Sequence, residues 1–288
     1  MHVARRPGAG GKDLRRPRLG LALGGGGVRG AVHIGVLQAL HEHGLEPECI
    51  AGTSVGSLVG GLYAFGQSPT AIRKLAASMH WRDIRSYTLS KFGLLSNHEI
   101  ATIVRAQVGE VRIEDAPIPL AFLATDISTG EAVVLREGSL AEAVMASTCM
   151  PGYYIPATIA GRLLVDGGLV VNVPVSPLFD MGADVTVAVE LNAVRKYARP
   201  RSLFDVLSNA FGIAMDTNTR IEVDRADVVI GPDLSKYEHA DGEDVWELYA
   251  EGYRHGILAI KRIRAALEAK SPRAFGALEQ KLRRWRRS

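Results

Sequence analysis

Two apolar runs in the first quarter of the chain break at glycine and resume as helical pattern, and few folds accommodate that plan twice. LGLALGGGGVRGAVHIGVLQAL, Leu19 to Leu40, reads as a buried strand through Gly24 and a four-glycine turn. A helix then starts at Gly30, with Val32, Val36, Leu37 and Leu40 at helical spacing, and stops at Gly44. ECIAGTSVGSLVGGLYAFG, Glu48 to Gly66, repeats it: a strand over Cys49 to Ala51, a turn at Gly52 to Ser54, then an apolar helix containing glycine. Strand, tight turn and helix in direct repetition predict an α/β protein with a mainly parallel sheet covered by helices on both faces.

The first turn admits more than one chemistry. Gly25, Gly27 and Gly30 fit the dinucleotide pattern GxGxxG, after a strand and before a helix, with Glu46 and Glu48 in range to bind a ribose. That pattern is short and the chain is rich in glycine. A phosphate-binding Walker loop is a poorer fit, because no Lys-Ser/Thr closes the run. The second turn, Gly52-Thr53-Ser54-Val55-Gly56, has the form of a GxSxG elbow that exposes a serine between strand and helix. The plainer alternative is a tight turn with Ser54 capping the helix. A serine hydroxyl is a weak nucleophile until a base takes its proton. None of the eight histidines marks itself as that base, although a Ser54, Asp166, His239 order can be assembled. Asp166 is more conspicuous, standing after an apolar run and before Gly167-Gly168; Asp-Gly is also an ordinary turn former.

Further along, Pro69 opens a helix through Met79, and Trp81 to Ile100 mixes aromatic and polar residues without a period, as a cap over a site would. Ile118 to Gly138 reads as two strands around a Ser-Thr-Gly turn, and Leu140 to Ala146 as a short helix. Gly161 to Gly168, Asp184 to Leu191 and Ala226 to Pro232 read as strands, followed by a helix within Trp246 to Leu267. Asn192 to Arg201 forms a basic connection. The expected organisation is a basic, flexible segment over 1–16, one α/β domain over 17–268 and a basic tail over 269–288. Net charge is +5 over the first 18 residues and +8 over 261–288, which leaves −10 between them in a chain of net +3. Clustered cations of this kind suit an anionic lipid surface or nucleic acid, and a soluble, frayed terminus is the plainer alternative; peripheral contact with an anionic membrane and no specific nucleic acid are the expected partners. Cys49 and Cys149 make neither a disulfide framework nor a metal quartet, and the N-terminal stretch lacks an apolar signal core, so a cytoplasmic protein with peripheral membrane contact is expected.

LGGGGVRGAVHIGVLQAL, GTSVGS, ATDISTG, ASTCMPGYYIP and VDGG occur in an order that resembles the bacterial patatin-like phospholipases, serine lipid acyl hydrolases, over about residues 19 to 191. The resemblance implies a three-layer αβα fold and cleavage of fatty acyl esters of phospholipids or lysophospholipids without metal or cofactor. It assigns Ser54 as nucleophile and Asp166 as its acid partner, a pair that needs no histidine. Gly26, Gly27 and Val28 become oxyanion donors, supported by Gly25, Arg29, Gly30, Gly52, Gly56, Gly167 and Gly168. Asp126 is structural in this reading, and Cys149 stands where the family more often has Ala or Ser. Arg29 is expected to tie loops together rather than bind phosphate. Leu58, Leu62 and Phe65 divide between acyl pocket and core, as Tyr153 and Tyr154 do between pocket wall and packing.

Overall fold

The computed structural model describes residues 16–79, 86–90, 93–194, 197–237 and 242–271. Most of both basic ends, His239 and parts of the expected cap lie outside the described residues. The elements run β1 (Leu19–Leu23), α1 (Ala31–Glu42), β2 (Cys49–Thr53), α2 (Val55–Ala64) and α3 (Pro69–Ser78). A hairpin of β3 (Ser86–Ser90) and β4 (Gly93–Ser96) precedes α4 (His98–Val108), β5 (Leu120–Asp126), β6 (Ala132–Leu135) and α5 (Leu140–Ser147). The second half holds β7 (Ala157–Ile159), β8 (Arg162–Asp166), α6 (Ser176–Asp180), β9 (Val185–Val189), α7 (Leu203–Val223), β10 (Val228–Ile230) and α8 (Val245–Ala269).

The strand order is β10-β9-β1-β2-β5-β8-β7, with β6 also on β5. From β10 to β5 every pairing is parallel; β6, β7 and β8 are joined by antiparallel pairings. Every residue of β1, β2, β5 and β9 is buried, as expected of parallel strands covered on both sides. The two faces differ in bulk. Leu21, Leu23, Ile50 and Phe122 meet Leu37, Val59, Leu62 and Ile260 from α1, α2 and α8. On the other face Ala22, Cys49, Ala51, Ala121 and Ala188 let Val173, Val175 and Leu178 lie close, with Met181, Ala183, Val223 and Ala226 packed around them. α8 clamps α1 at near backbone contact: a Cβ on Gly35 would stand 2.1 Å from the Tyr249 carbonyl oxygen, and one on Gly252 2.1 Å from that of Val32.

One feature of register positions the site. Phe122 and Leu123 pair with both β2 and β6, while Ala124 and Thr125 pair with both β6 and β8. A strand has only two edges, so β2 and β8 must share the edge opposite β6. Thr53 is in register with Leu123 and Asp166 with the next residue, Ala124. Two strands of opposite direction therefore meet head to head, separated by about one residue rise, roughly 3.3 Å along β5. The chain after Thr53 has to leave the sheet at once.

Candidate active site

Ser54 is the residue that makes this exit. It adopts φ 54° and ψ −127°, a conformation that costs a non-glycine residue about 1–3 kcal/mol and persists only where its surroundings enforce it. The enforcement is visible on both sides. A Cβ on Gly56 would lie 2.1 Å from the Leu23 carbonyl oxygen, and one on Gly52 2.7 Å from Gly56 backbone atoms. Ser147, at the end of α5, stitches the gap: its Oγ donates to the Leu123 carbonyl (2.6 Å) and accepts the Ser54 N–H (2.9 Å). Although Ser54 occupies the N-cap position of α2, its hydroxyl makes no capping bond, contrary to the plain-turn alternative. It interacts with the Asp166 carboxyl instead.

Asp166 ends β8 and is 3% exposed. Its N–H donates to the Cys149 carbonyl (2.8 Å), its carbonyl accepts from Thr125 Oγ1 (3.1 Å), and its Oδ1 accepts the Gly168 N–H (2.8 Å). Burial raises its pKa from 3.8 to about 6, while hydrogen bonds from Ser54 and Gly168 draw it part of the way back. Gly167 fits because a Cβ there would strike the Leu123 carbonyl at 2.4 Å. The two residues singled out from distant motifs are therefore brought together at one break in the sheet.

The glycine turn lies directly against Ser54. A Cβ on Gly25 would stand 3.1 Å from that of Ser54 and 2.9 Å from Asn172 Oδ1; one on Gly26 would meet Leu191, and one on Gly30 would meet Val55. These side chains are missing to make room for the protein itself. Gly27 alone faces open space, and its φ of +60° sets the turn. Gly27–Gly30 is a single 3-10 turn, so the N–H groups of Gly26, Gly27 and Val28 precede any intrahelical acceptor, and all three residues line the cavity over Ser54. The rest of the turn is anchored. Gly25 N–H donates to Asn172 Oδ1 (3.0 Å), Asn192 donates to the Gly25 carbonyl (3.2 Å), and Arg29 bonds to Asn192 and the Gly26 carbonyl, tying loops as expected. Beneath it, burial lowers the pKa of His33 to about 4, and its neutral ring bonds the Gly24 carbonyl (2.7 Å); since that oxygen only accepts, Nε2 carries the proton.

The cavity has a volume of about 900 Å³, in the range of small-molecule sites. Ser54 and Asp166 lie in its wall with Val55, Leu58, Ile100 and Met150 as apolar surface, and Tyr153 and Tyr154 line it too. Leu58 also belongs to the core, Leu62 is wholly core, and Phe65 packs against the core. Asp126 caps a turn by accepting the Ser128 N–H (2.9 Å), a structural role. Buried Cys149 donates to the Ile155 carbonyl (2.8 Å) and does not line the cavity. Glu48 pairs with Arg18 and Glu46 with His41, and neither borders the cavity, which removes the ribose acid a dinucleotide site requires. No histidine among the described residues lines the cavity. Sequence reasoning missed Ser147, Asn172 and Met215, whose Cε lies against both Gly25 and Gly168. Ser147 stood within a quoted motif, and Asn172 stood out as a polar residue in an apolar run; Met215 carried no signal.

A family model described as patatin-like phospholipase matches residues 21–179. An NTE family protein of Mycobacterium tuberculosis, itself described as uncharacterized, is 42% identical over 179 residues, 61% of this chain and 49% of that protein. A lysophospholipase of Mycosarcoma maydis is 35% identical over 198 residues, 66% of this chain and 10% of that protein. The chain thus spans about half the length, or less, of these curated relatives. VipD of Legionella pneumophila shares the fold, with a TM-score of 0.56 at 14% identity over 89% of this chain and 67% of that one.

Proposed function

The chain belongs to the patatin-like phospholipase family, and from that premise we propose that it hydrolyses fatty acyl esters of phospholipids or lysophospholipids, with Ser54 as nucleophile and Asp166 as the general base. The observation that carries this is a single side chain: a serine at a helix N-cap that leaves the cap unmade and turns to a buried carboxylate in the wall of a 900 Å³ cavity. The lysophospholipase among the relatives supports the substrate class.

Proton transfer runs from Ser54 Oγ to Asp166 as Oγ attacks the ester carbonyl. A carboxyl of pKa about 6 is still ionised at neutral pH yet is roughly a hundredfold more basic than an ordinary aspartate. Negative charge developing on the carbonyl oxygen is met by N–H groups of Gly26, Gly27 and Val28; one such donor is worth about 2.7–4 kcal/mol. Collapse of the tetrahedral centre breaks the ester C–O bond, and Asp166 returns the proton to the leaving alcohol. Water then enters, gives its proton to Asp166 and attacks the acyl-Ser54 ester; the fatty acid leaves and the proton returns to Ser54.

The test is release of fatty acid from lysophosphatidylcholine by wild type, Ser54→Ala, Asp166→Ala and His239→Ala. Both site variants lose turnover while keeping wild-type circular dichroism, and His239→Ala keeps its rate. Full activity in folded Ser54→Ala removes the nucleophile; a collapse in His239→Ala points to a three-residue relay instead.

A further inference from the structure

The 21-residue helix α7 is apolar on its outer face as well as on parts of its inner one. At 100° per residue, Leu203, Val206, Leu207, Ala210, Ile213 and Ile221 fall within one arc of about 120°, in which no charged side chain of the helix lies. All six are exposed, Leu203 at 73%, Val206 at 49%, Ile213 at 53% and Ile221 at 69%. The opposite side carries buried Gly212, Met215 and Thr219 and packs Val223 on the core, with Phe211, Asp205, Ser208 and Asn209 turned to the cavity. A helix that packs on a core for stability needs only an inward apolar stripe; this one holds a second, about 27 Å long, away from the protein.

We infer that the outer face of α7 is the surface on which this protein docks to an anionic lipid bilayer, with the apolar stripe immersed and the mouth of the Ser54 cavity delivered to the interface. The inference rests on the lipid-ester reading above. Two observations select a bilayer as the occupant. The same helix lines the cavity with its inner side, so whatever covers the stripe also covers the route to Ser54. The charge is positive at the end of the stripe nearest the cavity mouth: Arg199 and Arg201 are exposed at the cavity rim where α7 begins, whereas at the far end Arg220 and Arg225 stand with Glu222 and Asp224. The acid at the N-terminal end, Asp205, lies on the inner side, where its carboxylate accepts the N–H groups of Arg201 and Ser202. Farther along, Asp216 accepts the Tyr197 hydroxyl. Apolar residues immersed in acyl chain with cations at headgroup level is the arrangement of an interfacial helix.

The test uses the full chain and vesicles of phosphatidylcholine with phosphatidylglycerol. Val206→Ser/Ile213→Ser/Ile221→Ser, none of which lines the cavity, is expected to weaken vesicle binding at least tenfold while leaving hydrolysis of a soluble short-chain ester unchanged. Arg199→Gln/Arg201→Gln is expected to weaken binding to the anionic vesicles by roughly 30-fold, from about 1 kcal/mol per cation, and to lose little on pure phosphatidylcholine. Direct contact is read separately at Val206→Cys carrying an environment-sensitive maleimide. The native thiols are buried, with pKa values raised to about 11 for Cys49 and about 12 for Cys149, so the label goes to position 206. A blue shift on vesicles supports docking.

Unchanged vesicle binding by the serine variant, or a label that stays in water, overturns the inference. So does a wild-type dimer that the serine variant converts to monomer, which makes a second copy the occupant, or a serine variant that fails to fold, which means that the chain covers the stripe itself. Vesicle binding and the label need no turnover. A protein that docks but hydrolyses nothing therefore contradicts only the hydrolase reading, and one that cleaves soluble esters without docking contradicts only this inference.

Discussion

Replacing Asp166 with Asn is expected to stabilise the protein at neutral pH while abolishing its activity. In the folded chain the carboxyl pKa is raised from 3.8 to about 6 because burial disfavours the charge more than Ser54 and Gly168 favour it. Between those two values the native state holds a proton that the unfolded state has released, so stability falls as pH rises through that window and stays lower above it. A gap of about two units corresponds to ~3 kcal/mol. Asn keeps the acceptor for the Gly168 N–H and can donate to Ser54, but carries no charge to desolvate. Urea denaturation of both proteins at pH 4 and pH 8 isolates the effect, because other titrating groups cancel in the difference. The two midpoints should nearly coincide at pH 4, with Asp166→Asn more stable by ~3 kcal/mol at pH 8. A difference independent of pH, or a wild type that gains on the variant as pH rises, means that the carboxylate is stabilised where it stands and refutes the buried-base reasoning.

The same pKa sets the rate: kcat/KM for a soluble ester should fall about tenfold per unit below pH 6 and level off above it, and a profile flat from pH 5 to 8 excludes Asp166 as the base. Gly56→Ala, which drives a methyl to 2.1 Å from the Leu23 carbonyl, should prevent soluble expression or cost more than ~3 kcal/mol; an ordinary stability would show that the elbow is not held as described. Ser147→Ala strips the Ser54 N–H and the Leu123 carbonyl of their shared partner and is expected to cost about 1–3 kcal/mol and to lower kcat more than it raises KM. Equal loss in both parameters would make Ser147 a purely structural residue.

The parallel half of the sheet was legible because its strands are buried on both faces, which writes them as continuous apolar runs closed by glycine. β1, β2, β5 and β9 appear within a few residues of where those runs place them. The elbow was legible for the same reason: only a forced turn needs glycine on both sides of a serine. The meeting of Ser54 with Asp166 was not readable from spacing, since it depends on two strands sharing one edge of β5, a matter of register that no local pattern encodes. In the sequence the glycine turn fits a dinucleotide pattern or a set of oxyanion donors, whereas in the fold Gly25, Gly26 and Gly30 make room for Asn172, Ser54, Leu191 and Val55, residues contributed from elsewhere in the chain. β7 was missed because three residues make no period. α7 was missed because its apolar residues alternate with Asp, Ser, Asn and Gly, poor helix formers that face a cavity invisible to sequence.

The most direct measurement is the rate at which a fluorophosphonate labels the protein, followed across pH with the adduct mapped by peptide mass spectrometry. The adduct should sit on Ser54 alone, form at a rate that rises through pH 6, and be lost in folded Asp166→Asn. Labelling of another residue, or undiminished labelling of Ser54 without the Asp166 carboxylate, contradicts a serine activated by that one acid.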